Sequence, residues 1–267
     1  MKTLLFFFVV LHTIGAHGGS WPSGMNAAVS FTYDDGYVDN IDVAAPALEK
    51  YGYRGTFYLT KDVVVSEGAR TGRGMYAEWA GVYRNGHEIG SHGARHTCTG
   101  VTGDINNPDT VTVEVANSRL WLNAAIARDD MRSYAYPCGE TVAHDEQWAV
   151  SETYYPDRVG EVYHVARTGN PGINRTSDLL EHRTKLKAYP ITPANASVAY
   201  VADILEQAEQ EGEWVIFVFH SIGTGVLAIS PELHEAILSH TYYRGVFWVA
   251  PVRDVAAWGL WHRQAED

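Results

Sequence analysis

Short apolar runs alternate with longer stretches whose apolar residues recur every three or four positions, from Ala27 almost to the C-terminus. The runs "AAVSFTY" (27–33), "GTFYLT" (55–60), "HEIGSH" (87–92), "SYAYP" (133–137), "EVYHVAR" (161–167), "LKAYPI" (186–191), "EWVIFVFH" (213–220) and "GVFWVA" (245–250) predict strands. Between them the helical period predicts helices over 43–52, 75–86, 110–128, 146–153, 197–212 and 230–240, with one more at the end. Gly212 is a stop signal and Ser230 a cap. The strands read as continuous apolar runs rather than alternating ones, as expected when both faces of a parallel sheet are covered. Seven or eight strand–helix units suggest closure into a barrel; an open doubly wound sheet fits the same periodicity.

Composition narrows the picture. A chain of 267 residues, 46% hydrophobic, suits one α/β domain with a large core. Its start, "MKTLLFFFVVLHTIGAHGGS", has an early Lys, an apolar run from Leu4 to Leu11 and then small residues. That predicts a secretory leader over 1–18, cleaved after Ala16-His17-Gly18, with the mature domain over 19–267 and an extracellular or periplasmic destination. The run is too short to span a bilayer, and no later stretch is apolar enough. A formal charge of −12 argues against nucleic acid and disfavours anionic polymers. Eight Trp and sixteen Tyr supply candidate stacking surfaces for sugar rings as well as core.

In such folds reactive groups collect past the C-terminal ends of strands. Read in order, those positions hold Asp34 and Asp35, His92 and His96, then Pro137, Cys138 and Gly139, and finally His220. Asp-Asp-Gly is ordinary turn or cap chemistry when taken alone. The alternative is that one carboxylate holds a cation and the other handles a proton. His92 and His96 are four apart, so a helical turn would put both imidazoles on one face. With one carboxylate they make a two-His, one-carboxylate set suited to zinc with an open position. Neither His-Glu-x-x-His nor a Gly-x-Ser-x-Gly elbow occurs, since Ser91 breaks the former after His87-Glu88.

The succession "TYDDG", "SHGARH", "YPCG" and "FVFHS" resembles the polysaccharide deacetylases of the NodB-homology type, carbohydrate esterase family four, from about Ala27 to Trp258. The resemblance implies a distorted (β/α) barrel, usually of seven parallel strands. It implies hydrolysis of acetyl groups from chitin, peptidoglycan, related amino sugars or xylan. Carried across, it makes Asp34 the catalytic base, Asp35, His92 and His96 the ligands of a divalent metal (zinc foremost), and His220 the general acid. The backbone N–H of Cys138 becomes an oxyanion donor.

The chain departs from the family pattern in the group that orients the base. An Arg commonly stands two residues before the third motif's proline; here that position is Ala135. Arg132, three residues along a strand, would face the other way. No Asp-Trp motif is evident to tune His220, and Asp178 is the candidate considered for that role. The alternative reading is therefore a catalytically weak barrel of this fold that binds glycan. Thr99 to Asp109 reads as a polar loop bordering the substrate cleft. Cys98 follows a predicted metal ligand by two residues and Cys138 lies in the oxyanion turn, so secretion favours a disulfide between them.

Overall fold

The computed structural model describes residues 21–98 and 108–263. The predicted leader and most of the predicted cleft loop lie outside the described residues. Among the described residues ten strands form: β1 (Ala27–Tyr33), β2 (Thr56–Leu59), β3 (Glu88–Ser91), β4 (Tyr134–Ala135), β5 (Ala143–His144), β6 (Val150–Ser151), β7 (Ala166–Arg167), β8 (Tyr189–Pro190), β9 (Trp214–Phe219) and β10 (Phe247–Val249). The main sheet is parallel and ordered β7-β4-β3-β2-β1-β9-β8, with β10 added beside the N-terminal half of β1. β7 is also bridged in parallel, Arg167↔Leu186, to the segment that leads into β8, so the seven strands curl into a distorted, barely closed barrel. The barrel form, rather than the open sheet, is the one adopted.

Every residue of β1 and of β9 is buried, which is why both read as continuous apolar runs. Alternate residues face opposite ways. Phe31, Tyr33, Phe57 and Phe217 pack outward among the helices with Leu48, Trp79, Leu205 and Ile237. The barrel interior holds the opposite set and is unusually polar: Ser30, Thr32, Thr56, Tyr58, Glu88, Ser133 and Arg167 are all buried. Apart from Arg167 Nε, each of these polar side-chain atoms has a partner among the described residues. Glu88 accepts from Thr56 Oγ1, Ser133 Oγ and N–H, and the N–H of Arg253, the second residue of helix Val252–Arg263. The amino end of that helix thereby plugs one pole of the barrel and leaves the other, at the strand C-termini, for chemistry.

The capped helices form as expected. Ser230 Oγ accepts from Leu233 N at 3.2 Å, and Gly212 ends helix Val198–Glu211 with a φ of 72°. Two local expectations fail. The helix expected over 146–153 is replaced by the β5–β6 hairpin, because Asp145 Oδ1 accepts from Gln147 N and Ala149 N and closes a turn there. "EVYHVAR" begins as the end of helix Tyr154–Val162, passes through a link at 163–165, and has only Ala166–Arg167 in the sheet. The helix Lys61–Thr71, which the apolar pattern does not mark, has a low-contrast sequence of Val, Ser, Glu and Gly and only Val64 and Glu67 buried.

His87 supplies a pH test of the core. Burial holds its imidazole down to about 4, against a weaker upward pull from Glu49, and its Nδ1 accepts from Gly55 N at 3.0 Å. The fold therefore favours neutral His87, and stability falls as pH drops from the unfolded value near 6.5 towards about 4. The expected loss is on the order of 3 kcal/mol at full protonation. Denaturant melts should show a shallower pH slope between those limits in His87→Gln; an unchanged slope would place the acid sensitivity elsewhere.

Candidate active site

Asp34, Asp35, His92, His96 and Cys138 lie at the carboxyl pole, each just past a strand of the barrel. Asp34 continues β1, and its N–H donates to Phe219 O at 2.9 Å, so β9 fixes where β1 ends. The chain then turns at Asp35, which adopts a φ of 76°. Left-handed backbone at a non-glycine residue is disfavoured and concentrates at functional sites. The same holds for His96 (φ 60°) and Cys138 (φ 57°).

The two histidines meet by a different route from the one their spacing suggests. His92 follows β3 and His96 ends a loop, not a helical turn; Gly93 at φ 76° reverses the chain between them. Their rings pack edge to face at 4.8 Å. His92 Nδ1 lies 2.8 Å from Ala135 O, which can only accept, so the proton sits on Nδ1 and the lone pair of Nε2 faces the cluster. Burial holds the His92 imidazole down to about 4 despite the nearby Asp34 carboxylate, keeping it neutral at ordinary pH.

Asp35 Oδ1 is 3.4 Å from His96 Nε2 and 3.7 Å from His92 Nε2. Ligand atoms of all three residues fall within 4.8 Å of one another. Asp35 Oδ1 is buried and has no hydrogen-bond partner among the described residues. A buried carboxylate oxygen without a donor is costly, and a cation bound between it and the two imidazoles would satisfy all three. The donor set fits a divalent ion of the zinc type.

Asp34 is held differently. Arg167, on β7, donates from Nη2 to Asp34 Oδ1, and both side chains are almost completely buried. Arg167 pairs in register with Ala135 on the adjacent strand β4, so the guanidinium expected at position 135 arrives from the next strand. Its flat face covers Tyr58 at 4.7 Å. Burial alone would raise the Asp34 carboxyl; Arg167, then His92 and His220, more than offset it and hold it below the usual range. Arg132 is turned away, donating to Ile89 O and Ala127 O. Arg167 was legible only as a charged residue ending an apolar run, a signal that identifies no partner.

His220 follows β9 near Asp34, with its Nδ1 buried and unpartnered among the described residues. Asp178 does not serve it. That residue lies in the turn Thr176–Asp178, just after Asn174, which bridges to Trp214 at the opposite end of β9.

Two further features brace the pole. Glu114 is fully buried and accepts from Ala94 N (2.7 Å), Arg95 N (2.9 Å) and Thr97 Oγ1 (3.1 Å), straddling His96. A Cβ on Gly93 would come within 2.5 Å of Glu114 Oε2, so the missing side chain is what admits the carboxylate. Cys98 and Cys138 are disulfide-bonded with Cα atoms 5.6 Å apart, tying the His96 loop to the turn Pro137–Gly139. In that turn Gly139 N and Glu140 N are taken by Tyr136 O and Pro137 O.

A parallel barrel with a candidate metal centre beside an arginine-bound aspartate defines the class. Residues 24–154, just under half of the chain, match the family model described as polysaccharide deacetylase, whose members hydrolyse acetyl groups from carbohydrates. Arg167 and His220 fall outside the matched segment. No curated protein matches the chain. Among solved structures, a Mycobacterium smegmatis protein assigned to the polysaccharide deacetylases is similar at a TM-score of 0.60 and 14% identity, covering 92% of this chain and 93% of its own. A family 4 acetyl xylan esterase from Clostridium thermocellum, in complex with a cobalt ion, is similar at 0.54 and 17%, covering 85% and 88%. A family pseudoenzyme from Bacillus anthracis is similar at 0.53 and 12%, covering 86% and 65%.

Three outcomes are expected from these contacts. Arg167→Ala leaves Asp34 buried and unpaired, so the acid limb of the rate–pH profile should move up and kcat should fall on the order of 10²-fold with metal content unchanged. An unmoved limb would remove Arg167 from the role. Glu114→Ala should weaken divalent-ion binding by about 10–100-fold, measured calorimetrically; unchanged affinity would mean the loop holds itself. Alkylation of the denatured, unreduced protein should label no cysteine, and reduction should destabilise by about 3–4 kcal/mol for a closed loop of this length.

Proposed function

We propose that this chain is a secreted, metal-dependent hydrolase that removes acetyl groups from a carbohydrate polymer. The observation that carries the reading is the separation of the two adjacent carboxylates. Asp34 gives one oxygen to Arg167, while Asp35 turns a bare oxygen toward two imidazoles. One is equipped to handle a proton and the other to hold a cation.

Asp35, His92 and His96 would hold the ion, most simply zinc. When bound, the ion supplies Lewis-acid polarisation and lowers the pKa of water from 15.7 toward about 7. Asp34, kept ionised by Arg167, accepts the proton of the water that attacks the acetyl carbonyl. The Cys138 N–H, in a turn whose next two N–H groups are already used, faces the developing oxyanion. His220 protonates the departing oxygen or nitrogen. An oxygen or nitrogen leaving group suits this chemistry, so N-acetyl amino sugars such as chitin and O-acetyl xylan are both candidate substrates. The leader and the disulfide together support export to an oxidising compartment.

The pseudoenzyme neighbour makes a glycan-binding barrel without turnover the competing reading. Acetate release from acetylxylan and from chitooligosaccharides, measured with metal content, decides between them. His92→Ala and His96→Ala should lose metal and activity together, whereas Asp34→Asn should keep the metal and lose activity. His220→Ala should keep its metal and lose about 10²–10⁴ in kcat on natural glycans, with a much smaller loss on an aryl acetate. Absence of acetate release from every acetylated glycan by the metal-loaded protein would sink the reading.

A further inference from the structure

At the pole opposite the candidate active site, helix Val252–Arg263 and β10 frame an open groove of about 490 Å³. Trp248, Trp258 and Trp261 supply its aromatic walls, and Tyr83 contributes a fourth ring. Trp248 and Trp258 meet edge to face at 5.9 Å, and Trp261 is 66% exposed. One exposed indole is ordinary, but aromatic rings gathered along a single groove mark an interaction site. The groove is not simply apolar. Arg253 lies over the Tyr83 ring at 5.6 Å, is bound to Asp129, and reaches Asp254 at 3.3 Å, so a fixed row of acceptors and donors runs beside the rings.

We propose that this groove is a second carbohydrate-binding site, which takes a neutral glycan chain and holds a polymer against the protein away from the reacting acetyl group. Pyranose rings present apolar C–H faces and equatorial hydroxyls. Flat indoles match the faces, and carboxylates with a guanidinium match the hydroxyls. Other occupants fit less well. Two carboxylates against one guanidinium repel phosphate-bearing ligands and anionic bilayers. A symmetric contact between two copies would bring together chains that each carry a formal charge of −12.

The groove's position bears on its use. Trp248 pairs with Ala28, six residues before Asp34 on the same strand, which puts the groove roughly 20 Å from the candidate catalytic centre. A short oligosaccharide fills one site or the other. Only a polymer engages both, so the groove matters for polymeric and insoluble substrates. This use rests on the deacetylase reading; binding at the groove does not.

Affinity electrophoresis in gels containing acetylated xylan or a soluble chitin derivative tests the site. The wild-type chain should be retarded. Trp261→Ala should lose on the order of tenfold in affinity, as truncation of a stacking Trp commonly does. Trp261→Phe should restore part of it. The rate on insoluble polymer, divided by the rate on an aryl acetate, should fall in the same order across the variants. Should Trp261→Ala fail to fold, protection of wild-type Trp261 from N-bromosuccinimide by added polysaccharide, read by mass spectrometry, decides instead. Equal retardation of wild type and Trp261→Ala, or unprotected Trp261, overturns the proposal. So does a wild-type dimer in light scattering that Trp261→Ala dissociates, since the groove would then face a second copy. Lost retardation with acetate release intact defeats this inference alone; retained retardation without acetate release defeats the deacetylase reading alone.

Discussion

The ion pair between Arg167 and Asp34 is the interaction on which the carboxyl pole depends. Both groups are buried, and removing two charges from water costs several kcal/mol apiece unless geometry and further polar contacts compensate. The barrel supplies that compensation through its interior. Tyr58 lies beneath the guanidinium, and Ser30, Thr32, Thr56 and Ser133 keep the axial column polar down to Glu88. A purely aliphatic interior would be more stable by area alone, but it would leave Arg167 without surroundings that tolerate its charge. The polar column and the ion pair are thus one design: the first makes the second affordable.

Around that pair, backbone strain is concentrated where the candidate site is. Asp35, His96 and Cys138 are three of the six described non-glycine residues with left-handed backbone. Asp35 and Cys138 sit shortly beyond a strand and His96 ends the loop that follows β3, places where the chain must double back to aim a side chain or an N–H toward the barrel axis. Such conformations cost of order 1–3 kcal/mol apiece and persist only if their surroundings insist on them. Glu114 does this for the loop that carries His96, and the disulfide binds that loop to the turn that carries Cys138.

How far the sequence announces this arrangement depends on the range of the interaction concerned. Strand ends, capped helices and the Asp, His and Cys positions are written locally, in apolar runs and the polar residues that stop them. The hairpin at Asp145 was missed because an aspartate hydrogen-bonding its own turn looks, by composition, like the start of a helix. Arg167 was missed for a deeper reason: its role comes from lying in register with Ala135 and facing Asp34, which is 133 residues away. Pairings of that kind are properties of the assembled sheet. The histidine pair shows the reverse hazard, since two residues that do converge on Asp35 were singled out by an argument about helical spacing that the loop does not obey.

The central position of β1 has a consequence for how the molecule comes into being. At its carboxyl end its neighbours are β2, a short way along the chain, and β9, whose Phe219 accepts the N–H of Asp34 across 185 residues. A chain emerging from a ribosome or a translocation pore can form β1 and β2 early, yet Asp34 has no fixed place until β9 arrives. Contacts so distant in sequence are made late and slowly. The last fifth of the polypeptide is therefore the keystone of the first strand, and a nascent chain cut short before it would hold the candidate metal ligands without the frame that aims them.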